Sequence, residues 1–153
     1  MSAALPDRDW IAAHIPHHGQ MCLLDTVEAW DAAHIRCSSA THRAADNPLR
    51  SGGRLGALNA IEYAAQAMAV HGALLADAAS AATPPSPGFL GSARGVNCLV
   101  ERLDNIEAPL SICAERLSAD ARTLLYAFTV SAAERLLVQG RVAVVLGRTP
   151  SSS

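Results

Sequence analysis

Between Leu55 and Ala76 the chain carries no charged side chain except Glu62. Leu58, Ile61, Ala65, Met68, Gly72 and Leu75 recur there at alternating three- and four-residue steps, which predicts one long helix with this apolar stripe turned to the core. A helix of about 22 residues runs roughly 33 Å, enough to cross a small domain. Asn59, Glu62, Gln66 and His71 make the segment too polar for a membrane span, because a central carboxylate is costly in lipid.

The flanking sequence organises around that helix. Asp9 to Ile15, with Asp9 available as an N-cap, predicts a short helix stopped before Pro16. The loop PHHGQ follows, and the runs MCLLDTVEAW and HIRCSSAT read as a hairpin about Asp31-Ala32-Ala33. HRAADNPLRSGG is a loop by composition, and AASAATPPSPG ends the long helix. The segments GFLGSARGVNCLVERL, IEAPLSICAERLSAD, TLLYAFTVSAA and RLLVQGRVAVVLG then read as strands. Turns at Ser118-Ala119-Asp120 and Ala132-Ala133-Glu134 make the last three an antiparallel meander. Residues 1–147 read as a single domain and Arg148 to Ser153 as a disordered tail.

At 153 residues the chain has the length of one domain that buries about two-thirds of its unfolded surface. All 12 basic residues are arginine. The absence of lysine excludes Schiff-base chemistry and a phosphate loop completed by its lysine. A formal charge of −2 argues against a nucleic-acid partner. Cys22, Cys37, Cys98 and Cys113 include no CxxC pair and read as reduced core residues. The N-terminus has no uninterrupted apolar stretch of the secretory type, so the expected location is the cytoplasm.

Three features carry chemistry. On a helical wheel Asn59, Glu62 and Gln66 share one narrow polar stripe, so all three are expected to point at one place. A buried Glu62 would hold a proton near neutral pH and serve as a general acid; the alternative is a buried ion pair with an arginine. His17 and His18, in PHHG, could serve as a base at a pocket rim or could be ordinary loop histidines. The glycines of Gly52-Gly53-Arg54-Leu55-Gly56 either let a ligand approach the first N–H groups of the helix or only make the turn. Arginines 50, 54, 94 and 102 are candidates to meet an acidic partner. His14, His34, His42 and His71 have no linking ligand spacing, so no metal is assigned.

Taken together, IPHHGQMCLLD, the hairpin, the helix containing IEYAAQA, GFLGSARGVNCLV and the meander resemble the hotdog-fold 3-hydroxyacyl-acyl-carrier-protein dehydratases. The helix entry NPLRSGGRLGALNAIEYAAQA is similar to that of the hotdog dehydratases of aryl polyene biosynthesis clusters, over about residues 8 to 147. The resemblance implies an α+β hotdog fold, an antiparallel sheet wrapped around a long central helix, with two chains pairing to form the active site. It implies no cofactor. The substrate would be a 3-hydroxyacyl thioester carried on acyl carrier protein through phosphopantetheine.

By the same resemblance Glu62 is the acid and Gln66 the glutamine one turn later. The amide that polarises the thioester carbonyl falls at Gly56 or Ala57, with Asn59 beside it in the substrate site. The fatty acid enzymes carry their histidine in a His-Phe-Pro-Gly motif, and the corresponding stretch here is Asn47-Pro48-Leu49-Arg50. His17 is then the first choice of base. The alternatives are a non-catalytic hotdog subunit paired with an active dehydratase, and a hotdog thioesterase; the assembly is a homodimer or a heterodimer of hotdog chains.

Overall fold

A computed structural model describes residues 5–15, 21–79 and 88–147. Helix α1 spans Arg8–His14, β1 Thr26–Trp30, β2 His34–Ser39 and the long helix α2 Ala60–Ala78. The strands β3 Gly88–Cys98, β4 Leu110–Ala119, β5 Thr123–Ala132 and β6 Arg135–Leu146 complete the chain. All six strands join one sheet in the order β1-β2-β4-β5-β6-β3, and every pairing is antiparallel. This is the α+β architecture expected of a hotdog fold. The sheet folds over α2, which packs against β2, β4 and β5.

Alternation places the core. On β4, Leu110, Ile112 and Ala114 are buried, and on β5 Tyr126, Phe128, Val130 and Ala132 are, while the residues between them face outward. From α2 the sheet meets Tyr63, Ala64, Ala67, Val70, His71 and Leu74. With aromatic residues only 4% of the chain, the small alanines let the sheet approach closely, and Tyr63 and Tyr126 fill the remaining depth.

The buried face of α2 is not the one its periodicity suggests. Of the predicted stripe only Met68 is buried; Leu58 is 64% exposed, and Ile61, Ala65, Gly72 and Leu75 are half-buried. In so alanine-rich a helix almost every face is apolar, so the pattern of large residues does not select which one the sheet covers.

The start of the helix also differs from expectation. Leu55 and Gly56 are extended, because the Leu55 N–H donates to Asp104 Oδ1 at 2.9 Å and Gly56 forms a β-bridge with Arg102. A 3-10 turn over Ala57–Asn59 then leads into α2. For α1 the N-cap is Asp7 rather than Asp9, its side chain accepting from the Trp10 N–H at 3.1 Å.

The hairpin about residue 31 and the meander match the sequence reading, but Ser118 and Ala119 belong to β4 and the β4–β5 turn falls at residues 120–122. The β5–β6 turn places Ala133 and Glu134 at φ 49° and 66°, the left-handed conformation that a two-residue hairpin turn demands. The cysteines are all free, but only Cys22 and Cys37 are core residues; Cys98 is exposed and Cys113 half-buried. Burial pushes the Cys37 thiol up to about 12, so it stays protonated and unreactive. No helix among the described residues is long and apolar enough to cross a membrane.

Candidate active site

The entry to α2 is held open by a second layer of bonds. Asp104 takes the Leu55 N–H and is in turn gripped by Arg102 through Nε and Nη2. That guanidinium holds the Asp104 carboxyl well below the usual carboxylate range. The Leu103 N–H donates to Leu55 O at 2.7 Å and the Ala57 N–H to Glu101 O at 3.0 Å. The Ala57 amide is therefore spent on the protein itself and cannot polarise a thioester carbonyl, contrary to one of the two positions expected for that role.

Gly56 fares differently. It is exposed, and a Cβ built on it would meet only Asn59 Nδ2, at 3.8 Å, with φ at −64°. Neither backbone conformation nor packing within the chain requires glycine there. The neighbouring glycines are explained by the turn: Gly52 and Gly53 have φ of 59° and 76° and close a tight turn in which Ser51 and Arg54 exchange backbone bonds. Asn59 is half-buried, and its Nδ2 donates to Gly56 O at 3.1 Å, bracing the entry.

Glu62 lies in the first turn of α2 and is exposed. Among the described residues it has no hydrogen-bond or ion-pair partner, so the alternative of a pairing with an arginine is not formed within them. The burial expected of this carboxylate is likewise not supplied by its own chain.

Gln66, one turn later, is 2% exposed and bonded at both ends of its amide: Oε1 accepts from the Leu23 N–H at 2.8 Å, and Nε2 donates to Met21 O at 2.7 Å. It is a clamp on the backbone that follows PHHGQ. The three polar residues of the helix entry thus have three environments rather than one.

A buried network continues the clamp. Leu23 O accepts from the Ser39 and Thr41 hydroxyls, and Thr41 Oγ1 bonds Tyr63 Oη at 2.8 Å. Asn47, in the stretch corresponding to the histidine motif, donates through Nδ2 to Thr41 O at 2.8 Å and to Tyr63 Oη at 3.0 Å. Its Oδ1 accepts from the Leu49 N–H. Here asparagine is a cross-link between loop and helix, buried and with no proton-transfer function.

Four of the six histidines fall among the described residues, and each has a structural setting. His14 stacks on Trp10, and His34 bonds Asp31 and Glu115 at the surface. His71 is fully buried, with Nε2 2.8 Å from Asp31 O and Nδ1 2.7 Å from Tyr126 Oη. The carbonyl assigns the proton to Nε2, so Nδ1 accepts from the tyrosine hydroxyl. Tyr126 Oη in turn accepts from Arg116 Nε and Nη2. His42 is also fully buried; its Nε2 donates to Ile106 O at 2.8 Å, while its Nδ1 has no partner. Burial lowers the basicity of both His42 and His71. His17, the expected base, and His18 lie outside the described residues. The network around Asn47 and Tyr63 was not foreseen, because the bonds that tie it to Tyr63 and to Leu23 join residues 16 to 22 positions apart.

Comparison with known proteins supports the fold. The chain is similar to a structure of the dehydratase heterocomplex ApeI:P from Xenorhabdus doucetiae at 24% identity and a TM-score of 0.79, with 91% of each chain covered. It is also similar to a mutant thioesterase from Pseudomonas aeruginosa at 14% identity and a TM-score of 0.63, covering 92% of this chain and 94% of that one. A hypothetical thioesterase protein with coenzyme A from Streptococcus pneumoniae matches at 12% identity and a TM-score of 0.54, over 79% of this chain and 84% of the other. No curated protein matches the sequence. The ApeP dehydratase family, by contrast, matches residues 10–152, and this chain belongs to that ApeP-like family.

Proposed function

We propose that this chain takes part in the dehydration of a 3-hydroxyacyl thioester, presented on the phosphopantetheine of an acyl carrier protein, at an interface with a second hotdog chain. The observation that carries the reading is the pairing of Glu62 and Gln66 on one side of α2. Glu62 is exposed and unpartnered among the described residues, and Gln66 clamps the backbone emerging from PHHGQ. His17 stands four residues before Met21, a tether of at most about 14 Å. Glu62 lies about 6 Å along the helix from the clamp, so a tether of that length permits His17 and Glu62 to meet one substrate.

In this reading His17 removes a proton from C2 of the acyl chain. Glu62 donates a proton to the 3-hydroxyl, which leaves as water as the C2–C3 double bond forms. The exposed Gly56 amide is the donor to the thioester carbonyl. A general acid needs a carboxyl that keeps its proton, which burial favours, and a second chain would have to provide that burial. Exposed Leu58 and half-buried Ile61 and Ala65 surround Glu62 with an apolar face suited to such a partner. A heterocomplex among the similar structures supports a hotdog partner subunit.

A second reading is favoured by Asn47. With a structural cross-link where the motif histidine would stand, this chain could be the non-catalytic member of a pair. One experiment separates the two: the chain is co-purified with a second hotdog subunit and assayed for trans-2-enoyl product on a carrier protein. Loss of turnover in both Glu62→Gln and His17→Ala supports catalysis by this chain. Full turnover by both complexes assigns the chemistry to the partner.

A further inference from the structure

Of the four arginines singled out in the sequence, two are used by the fold: Arg102 grips Asp104, and Arg50 donates to the carbonyls of His42, Arg43 and Gly53. Arg94 is different. It is the direct cross-strand partner of Arg141 in the β3–β6 ladder. Like charges directly opposite one another destabilise a sheet. Both side chains are exposed, and among the described residues neither has an ion-pair partner.

The backbone is irregular directly after Arg94. A bulge between Arg94 and Asn97 includes Gly95 at φ 59°, and it brings Val96 against Gly140. A Cβ at Gly140 would lie 3.1 Å from the Val96 Cα and 3.0 Å from its Cγ2. Bulges of this kind re-aim side chains. Arg94 and Arg141 stand at one end of a groove of about 890 Å³ on the outer face of the sheet, the face turned away from α2. The register explains the groove: Cys113, Ala127 and Thr129 form a low floor in its centre, and longer side chains, Arg36 and Glu115 on one side and Gln139 and Arg141 on the other, form its walls.

We propose that the Arg94–Arg141 pair is a binding site for a phosphate-bearing small molecule. Two opposed guanidiniums offer a fork of donors to a dianion, and binding it cancels their mutual repulsion. Gln139, next to Arg141 on β6 and lining the same groove, adds a neutral donor. The groove has the volume of a small-molecule site. It is formed by the outer face of the sheet, whereas Glu62 and Gln66 stand on the helix, so this inference is independent of the dehydratase reading.

The test is calorimetric titration of the full chain with inorganic pyrophosphate and, separately, with adenosine 3′,5′-bisphosphate, at constant ionic strength. Saturable binding that weakens at least tenfold in Arg94→Gln and in Arg141→Gln, and less in Arg94→Lys, which keeps the charge but not the planar fork, supports the site. Tighter binding of the nucleotide means that the groove floor takes part; equal binding means that only phosphate is read. In the absence of ligand the two glutamine variants should melt no lower than the parent, since they remove a repulsion. Binding unchanged in both variants overturns the proposal, as does a lowered melting temperature without ligand, which would make the arginines structural. A change of oligomeric state in the variants also overturns it, because the face would then be a contact between copies.

Discussion

Replacing Gln66 by leucine tests the clamp and its bearing on the site. Leucine has nearly the size of glutamine, so little cavity is created and the loss falls on two hydrogen bonds. The Met21 carbonyl belongs to an exposed residue and can turn to water, but the Leu23 N–H belongs to a residue 2% exposed and is left without an acceptor. A buried orphan of this kind costs about 1–3 kcal/mol. Taking about 2 kcal/mol, a domain of this size should melt about 4–8 °C lower, read by circular dichroism.

Activity of the two-chain complex should fall further than stability alone explains, measured well below the melting transition, because Met21 and Leu23, next in the chain after PHHGQ, lose their anchor. Gln66→Glu sharpens the test. Its carboxylate still accepts from Leu23 N–H but sets an oxygen against Met21 O, and only the protonated form restores the donor. The folded state then favours the proton, so the deficit relative to the parent is small below the ordinary glutamate pKa of about 4.3 and grows as pH rises through the folded-state value. A melting temperature within 1 °C of the parent for Gln66→Leu, with unchanged turnover, would refute the clamp.

Three further outcomes follow from the same structure. Gly56→Ala should leave the melting temperature unchanged, since its Cβ meets only Asn59 Nδ2 at 3.8 Å, yet lower kcat/KM if substrate packs against Gly56; Gly52→Ala, at φ 59°, should instead lose about 1–2 kcal/mol in a urea titration. Burial lowers the basicity of His42 and His71, so the unfolded chain binds the extra protons. Their contribution to stability is complete above the unfolded pKa of about 6.5 and is lost as pH falls from there through the folded values. Melting temperatures should drop from pH 7 to pH 5, less steeply in His71→Gln, and a flat profile would contradict this. Leu58→Arg, on the exposed apolar side of the helix entry, should abolish co-purification with a hotdog partner and leave the melting of the isolated chain unaltered.

The site was partly legible in the sequence. Glu62 stands out because it is alone, and the structure keeps it available. Ala57 and Gln66 looked equally available, but Glu101 lies 44 positions from the first and Met21 and Leu23 lie 45 and 43 from the second. Side-chain type and spacing say nothing about a bond that closes so large a loop.

What the sequence determined by itself is what local physics decides. The strand alternation, the turn residues around Asp31, Asp120 and Ala133, and a long helix within residues 55–76, found at 60–78, all follow from periods of a few residues and from backbone preferences. Tertiary structure alone decided which face of that helix is buried. Where alanine makes every face nearly equally apolar, hydrophobic free energy follows the area that the sheet covers. Tyr63, Val70 and Leu74 went inward, and Leu58, Ile61 and Glu62 were left for another surface.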